Sequence, residues 1–237
     1  MVRYAAIVLS GGRGHRMGDT KIAKQYMELA GKPIIYYSLK AFVDSDIDEI
    51  VLVCGAGDER YVADLVDSFS FDKHIKIATG GAQRYHSVYA GLCEIENADR
   101  VLIHDGARPF VDEEIIGRLK NELESYDAVV AAVRTKDTIK IADENGIVVS
   151  TPNRNSLWNM QTPQCFRFDM IKEAYSRLIE TEEDVVSKGI NITDDAMVLE
   201  LFSDTTIKLC EGSYENIKIT TPEDLSYAQM LIDSRQY

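Results

Sequence analysis

The chain has 237 residues, 45% of them hydrophobic and 27% charged, with 26 Lys and Arg against 39 Asp and Glu for a net charge of −13. These proportions exclude disordered and fibrous classes, and the acidic balance argues against a general binder of nucleic acid or anionic membranes. The length suits one domain over 1–237. No apolar run approaches the roughly 20 residues that span a bilayer, and the chain opens on a strand instead of a signal peptide, so a cytoplasmic protein is expected.

The charge is unevenly placed. Residues 1–40 hold seven Lys or Arg and two acidic residues, a local +5, which leaves −18 for the remainder. A cationic patch on an acidic protein points to a small polyanion, such as a nucleotide, held at one place. Cys54, Cys93, Cys165 and Cys210 are irregularly spaced with no C-x-x-C pair, which indicates thiols in the core and neither a zinc site nor a disulfide framework.

The apolar run Ala5 to Leu9 predicts a buried strand that empties into Ser10, Gly11, Gly12 and Gly14, with cations at Arg13, Arg16, Lys21 and Lys24. Glycine lets backbone N–H groups approach an anion, and Arg and Lys add full charges for polyphosphate oxygens. The Walker pattern fails because His15-Arg16 follows Gly14. The dinucleotide pattern fails because Met17 stands where its third glycine belongs. Gly-Gly-x-Gly alone serves an ordinary βα turn equally well.

Ile35, Leu39 and Phe42 predict a helix beginning near Pro33, Glu49 to Cys54 a strand, and Val62, Leu65, Val66 and Phe69 a second helix. A strand at Ile75 to Ala78 runs into Gly80-Gly81 and a helix bearing Val88, Leu92 and Ile95. Arg100 to Asp105 is the next strand, and Asp112 is placed to cap a helix with Ile116, Leu119 and Leu123. Alternating strands and helices predict an α/β fold with a mostly parallel sheet covered on both faces, whose ligands bind beyond the carboxyl ends of the strands. The glycine loop, Gly80-Gly81 and His104-Asp105 all fall on that rim.

After Ala128 to Val133 the pattern changes. Thr138 to Ile141 and Ile147 to Ser150, flanking Asn145-Gly146, predict a polar β-hairpin arm within 136–156, either a contact for a second subunit or an exposed edge. A helix from Asp169, another after Thr193-Asp194-Asp195, a strand pair at Thr206 to Leu209 and Asn216 to Thr220, and a helix capped by Thr221-Pro222 complete the chain.

Asp105 and Arg108, beyond a buried strand, suit a Mg²⁺-nucleotide site, with a local Asp105–Arg108 ion pair as the alternative. His104 has no accompanying nucleophile signature and is read as structural. Gly81 and Ser87 are placed to meet a base edge or to open a helix. Lys136, Thr138, Lys140, Arg154, Thr162 and Lys218 form a second set of side chains able to bind an anion, although each by itself reads first as a solvated surface residue.

Taken together, Leu9 to Met17, Lys24-Gln25-Tyr26, Gly80 to Arg84, His104 to Pro109, Asp137-Thr138, Arg154, Gln161 to Gln164, Thr193 to Asp195 and Asn216 to Thr220 resemble, in order, the sugar-alcohol-phosphate cytidylyltransferases. The likeness is nearest to the methylerythritol-phosphate enzymes of non-mevalonate isoprenoid synthesis. It implies a Rossmann-like nucleotidyltransferase fold, a homodimer joined through the arm, and Mg²⁺-dependent transfer of CMP from CTP to methylerythritol phosphate with release of pyrophosphate. By that resemblance Arg16, Lys24 and Lys218 act on the reacting phosphates, and Ser10, Gly11, Gly12 and Gly14 cradle CTP. Gly81 and Ser87 touch cytosine, while Asp105, Arg108, Thr138 and Thr162 line the acceptor side; Arg154 reaches the neighbouring subunit's site. Asp105 is also the candidate metal contact, with Mg²⁺ held mainly by the CTP phosphates. Leu9-Ser10-Gly11 departs from the usual Pro-Ala-Ala, Ala82 stands where Asp is common, and Ala23 where Pro is frequent. Ribitol 5-phosphate, giving CDP-ribitol for teichoic acid, is the alternative acceptor.

Overall fold

A computed structural model describes residues 1–12 and 23–235. Strand β1 (Tyr4–Leu9) lies inside the sheet, paired in parallel with the strands at Glu49–Cys54 and Arg100–Asp105, and is buried from Ala5 onward. A two-stranded ribbon, β2 (Glu28–Leu29) and β3 (Lys32–Pro33), turns through Ala30 and Gly31, both at positive φ (49° and 80°). Such a turn matches the twist of antiparallel strands, and glycine enters that conformation without a steric cost.

The predicted order then holds: α1 (Ile34–Asp44), β4 (Glu49–Cys54), α2 (Glu59–Asp67), β5 (Ile75–Thr79), α3 (Arg84–Glu94), β6 (Arg100–Asp105), α4 (Glu113–Glu122) and β7 (Ala128–Arg134). Asp112 caps α4 as expected, its carboxylate accepting from Ile115 N at 2.8 Å. The arm pairs β8 (Ile141–Ala142) with β9 (Val148–Ser150), a shorter ladder than the sequence predicts. After it come β10 (Trp158–Arg167), α5 (Phe168–Glu180), α6 (Glu182–Ser187), α7 (Asp195–Phe202), β11 (Ile207–Glu211) and α8 (Pro222–Arg235). No helix among the described residues is long and apolar enough to cross a membrane.

The main sheet has seven strands in the order β11-β7-β10-β6-β1-β4-β5, all parallel except β10, which runs antiparallel to β6 and β7. Period-two alternation sorts the strand side chains between two layers. Ala6 and Val8 pack with α1, α2 and α4, while Ala5, Ile7 and Leu9 pack with α3, α5 and α7. A smaller cluster joins α8 to Leu29, Ile34, Phe110 and Ile219.

Three expectations change. Strand β10 escaped prediction because Trp-Asn-Met-Gln-Thr-Pro-Gln is polar and interrupted by Pro163; the structure accommodates the proline where the pairing register breaks between Met160 and Gln164. Asn216 to Thr220 is not a strand. It is a loop pinned under the rim, with Ile219 N donating to Ala107 O at 2.8 Å. The arm, expected to be polar, exposes Ile139, Ile141, Ile147, Val148 and Val149, each at least 40% accessible.

Candidate active site

Four parallel strands, β1, β4, β5 and β6, end on one rim, and the backbone beyond them is stitched together. Ser10 N donates to Val53 O (2.7 Å), Gly80 N to Cys54 O (2.7 Å), and Gly106 N to Leu9 O (2.9 Å). Two of the crossings require glycine. A Cβ on Gly80 would lie 2.7 Å from Ser87 Oγ and 3.0 Å from Cys54 O, and one on Gly106 would lie 2.8 Å from Leu9 O.

Above this stitching is a cavity of about 250 Å³, to which Gly11, Gly12, Lys24, Gly81, Ser87, Asp105 and Lys218 all contribute. Five separated segments thus converge, and seven of the residues expected at the site are brought together. At the α3 entry, Gly81 N donates to Ser87 Oγ (3.2 Å), whose proton goes to Gln83 O (3.3 Å). Gln83 N donates to His86 Nδ1 (3.2 Å), so the ring's Nε2–H donates to Glu182 (2.9 Å). Tyr85 OH donates to the other oxygen of Glu182 at 2.6 Å. Glu182 therefore braces the helix turn that presents Ser87.

Asp105 is the electrostatic hub. Lys218 Nζ donates to its Oδ2 at 2.7 Å and Arg84 Nε to its Oδ1 at 3.2 Å. Burial would raise its pKa, but Arg84, Lys218 and Arg108 outweigh that and hold the carboxyl well below the usual carboxylate range. Arg84 also makes two 2.7 Å bonds to the fully buried Asp195, which accepts a third from Tyr175 OH at 2.5 Å. Burial pulls the guanidinium pKa down, and the Asp195 and Asp105 carboxylates more than restore it, so Arg84 stays charged. Among the described residues, Lys24, Arg84 and Lys218 line the cavity beside Asp105, a set of side chains suited to an anionic ligand.

The alternative reading of this motif, a local Asp105–Arg108 ion pair, is not formed. Arg108 turns to Asn216 O (2.7 Å), and its Nε is buried without a partner. It does not line the cavity, and neither does Thr162, which sits behind Asp105. The Thr162 contacts fix a proton order. Arg108 O can only accept, so His104 Nε2–H donates to it (3.1 Å), which leaves Nδ1 to accept from Thr162 Oγ (3.0 Å); Thr162 Oγ in turn accepts from Asp105 N (3.0 Å). Burial pushes the His104 pKa down to about 4, so the ring is neutral and structural, as its sequence context suggested.

Ser10 stands behind the cavity with both its donors spent on Val53 O, so it has none left to cradle a phosphate. Asp105 has both oxygens occupied by cations, and among the described residues no group of three or more His, Cys, Asp or Glu converges as a metal site. Thr138 and Arg154 are exposed on and beside the arm and do not line the cavity; Arg154 donates to Lys136 O at 3.2 Å. Gly14 and Arg16 lie outside the described residues. The sequence reading missed Gln25, Arg84 and Asp195. Arg84 and Asp195 lay within motifs already noted, but nothing in one dimension pairs residues 111 positions apart.

A mostly parallel sheet with a glycine-walled, cation-lined cavity on its carboxyl rim defines an α/β nucleotidyltransferase. Residues 4–234 match the family model for 2-C-methyl-D-erythritol 4-phosphate cytidylyltransferase. The relative of that name from Lachnospira eligens is 48% identical over 96% of this chain and 98% of its own, and the one from Lachnoclostridium phytofermentans is 42% identical over 100% and 99%. The crystal structure of 4-diphosphocytidyl-2C-methyl-D-erythritol synthase from Anaerococcus prevotii superposes with a TM-score of 0.85 at 34% identity, over 98% of this chain and 96% of that one. The chain belongs to the 2-C-methyl-D-erythritol 4-phosphate cytidylyltransferase family. These relatives carry the methylerythritol name, so the ribitol alternative gains no support from them.

Proposed function

We infer that this chain transfers CMP from CTP to 2-C-methyl-D-erythritol 4-phosphate, giving 4-diphosphocytidyl-2-C-methylerythritol and pyrophosphate. The observation that carries the reading is the convergence of Gly11, Gly12, Lys24, Gly81, Ser87, Asp105 and Lys218 on one cavity in a chain of this family. An acceptor phosphate oxygen attacks the α-phosphorus in line. The bond to the β-phosphate bridging oxygen breaks, and pyrophosphate leaves with its electron pair. Catalysis is then positioning plus charge stabilisation, assigned here to Lys24, Lys218 and Arg16. A phosphate monoester is already anionic at neutral pH, so no general base is needed. His104, neutral with both nitrogens engaged, leaves that account undisturbed.

Gly81 and Ser87 would meet the cytosine, and Asp105 would set the height of Lys218 through their 2.7 Å bond. The donor set fits Mg²⁺ only as an ion carried by the triphosphate, where it would neutralise charge on the phosphate oxygens. Asp105 would have to release a cation to ligate it. The exposed apolar arm side chains support a homodimer, with Arg154 offered to the neighbouring subunit's acceptor and Thr138 kept on the acceptor side. The chain would work as one domain in the cytoplasm. Pyrophosphate release from CTP, measured with methylerythritol 4-phosphate and with ribitol 5-phosphate side by side, tests the reading. Turnover of the first acceptor is expected, and turnover of ribitol 5-phosphate alone would overturn it.

A further inference from the structure

Lys24 stands on a single 3-10 turn, Lys24–Tyr26, whose backbone closure is the pair Tyr26 N to Ala23 O (2.9 Å) and Met27 N to Lys24 O (3.1 Å). So short a turn has little rigidity of its own. Its last residue supplies an anchor. Tyr26 is 7% exposed, its ring meets Tyr61 edge-on at 5.5 Å and 79°, and its hydroxyl lies 2.9 Å from Oγ of Ser10, which is 1% exposed.

The direction of that bond follows from the third partner. Val53 O accepts from both Ser10 N (2.7 Å) and Ser10 Oγ (3.0 Å). A carbonyl cannot donate, so the single hydroxyl proton of Ser10 is spent there, and the Tyr26 phenol must donate to Ser10 Oγ. Burial pushes the phenol pKa up more than the Ser10 bond lowers it, which keeps the donor protonated. The turn carrying Lys24 is thus tied, through Tyr26 O–H to Ser10 Oγ–H to Val53 O, to the end of an inner strand.

We propose that Ser10 and Tyr26 are positioning residues that hold Lys24 at the reacting phosphates. The proposal rests on the catalytic reading of Lys24 above. Steady-state kinetics and thermal melts of Ser10→Ala, Tyr26→Phe, the double variant and Lys24→Ala test it. Each single variant is expected to lose roughly 10-fold in kcat with KM for CTP held within about 2-fold, the signature of an interaction that matters in the transition state. The double variant should lose no more than either single, because the two groups act as a unit. Stability separates positioning from packing. Ser10→Ala leaves a buried phenol unpaired and should lower Tm, whereas Tyr26→Phe leaves Ser10 bonded to Val53 and should melt close to the parent. A folded Tyr26→Phe with full kcat beside an inactive Lys24→Ala would overturn the tether alone. Full kcat in Lys24→Ala would overturn the reading of Lys24 and the tether with it.

Discussion

His104 provides a test whose magnitude follows from the structure. Its pKa in the native chain is about 4, against the ordinary 6.5 expected of an unfolded histidine. The folded value is the depressed one, so between pH 6.5 and 4 the unfolded chain binds a proton that the native chain refuses. Stability therefore falls as pH drops through that window and stops falling from this cause below about pH 4. At about 1.36 kcal/mol per unit, the loss from pH 7 to pH 5 comes to about 2 kcal/mol for this one ring. Urea unfolding followed by circular dichroism at both pH values, on the parent and on His104→Gln, isolates it. The glutamine variant breaks part of the Thr162 and Arg108 contacts and should be less stable at both values, but its loss between them should be smaller than the parent's by about 2 kcal/mol. Contributions from every other group are common to both proteins and cancel. Equal losses in parent and variant would mean that the ring is not held neutral by burial, and the assigned proton order from Asp105 to Arg108 would go with it.

Asp195→Asn keeps the shape but removes the charge that two arms of Arg84 grip. Breaking a buried pair costs about 3–5 kcal/mol, and with 28% of the Arg84 side chain exposed we expect nearer 2–3, a Tm drop of roughly 5–10 °C by calorimetry; an unchanged Tm would remove the pair from the site's support. Arg16→Ala and Lys24→Ala should each lose on the order of 10²-fold or more in kcat in a pyrophosphate assay, and parent-like turnover would end the charge-stabilising assignment. Ile147→Lys with Val149→Lys, placing charge on side chains 65% and 67% exposed, should yield monomers in sedimentation if the arm joins two subunits. Mixed Arg16→Ala and Arg154→Ala chains should regain activity through hybrid dimers; no recovery after demonstrated subunit exchange would count against a shared site.

Much of the fold was written in short-range patterns. Runs such as Ile50 to Cys54 and Val101 to Ile103 are apolar on every position because helices cover both faces of the strands they form, and their glycine-marked exits locate the rim. The strand at Trp158–Arg167 was hidden for the converse reason. Its pairing comes from the antiparallel groove between β6 and β7, which supplies partners that local propensity does not. The same division runs through the site. Glycines, Lys24 and Lys218 announce themselves by type and motif, whereas their electrostatic setting depends on which carboxylates the fold delivers. Asp105 looked like a partner for Arg108 three positions away, yet the chain gives it Arg84 and Lys218 from distant segments and sends Arg108 to a loop carbonyl. That exchange changes the chemistry. A carboxylate gripped by two cations stays ionised and cannot serve as a base, but it can hold Lys218 in place until a phosphate competes for it, the role expected in a site that works by position and charge.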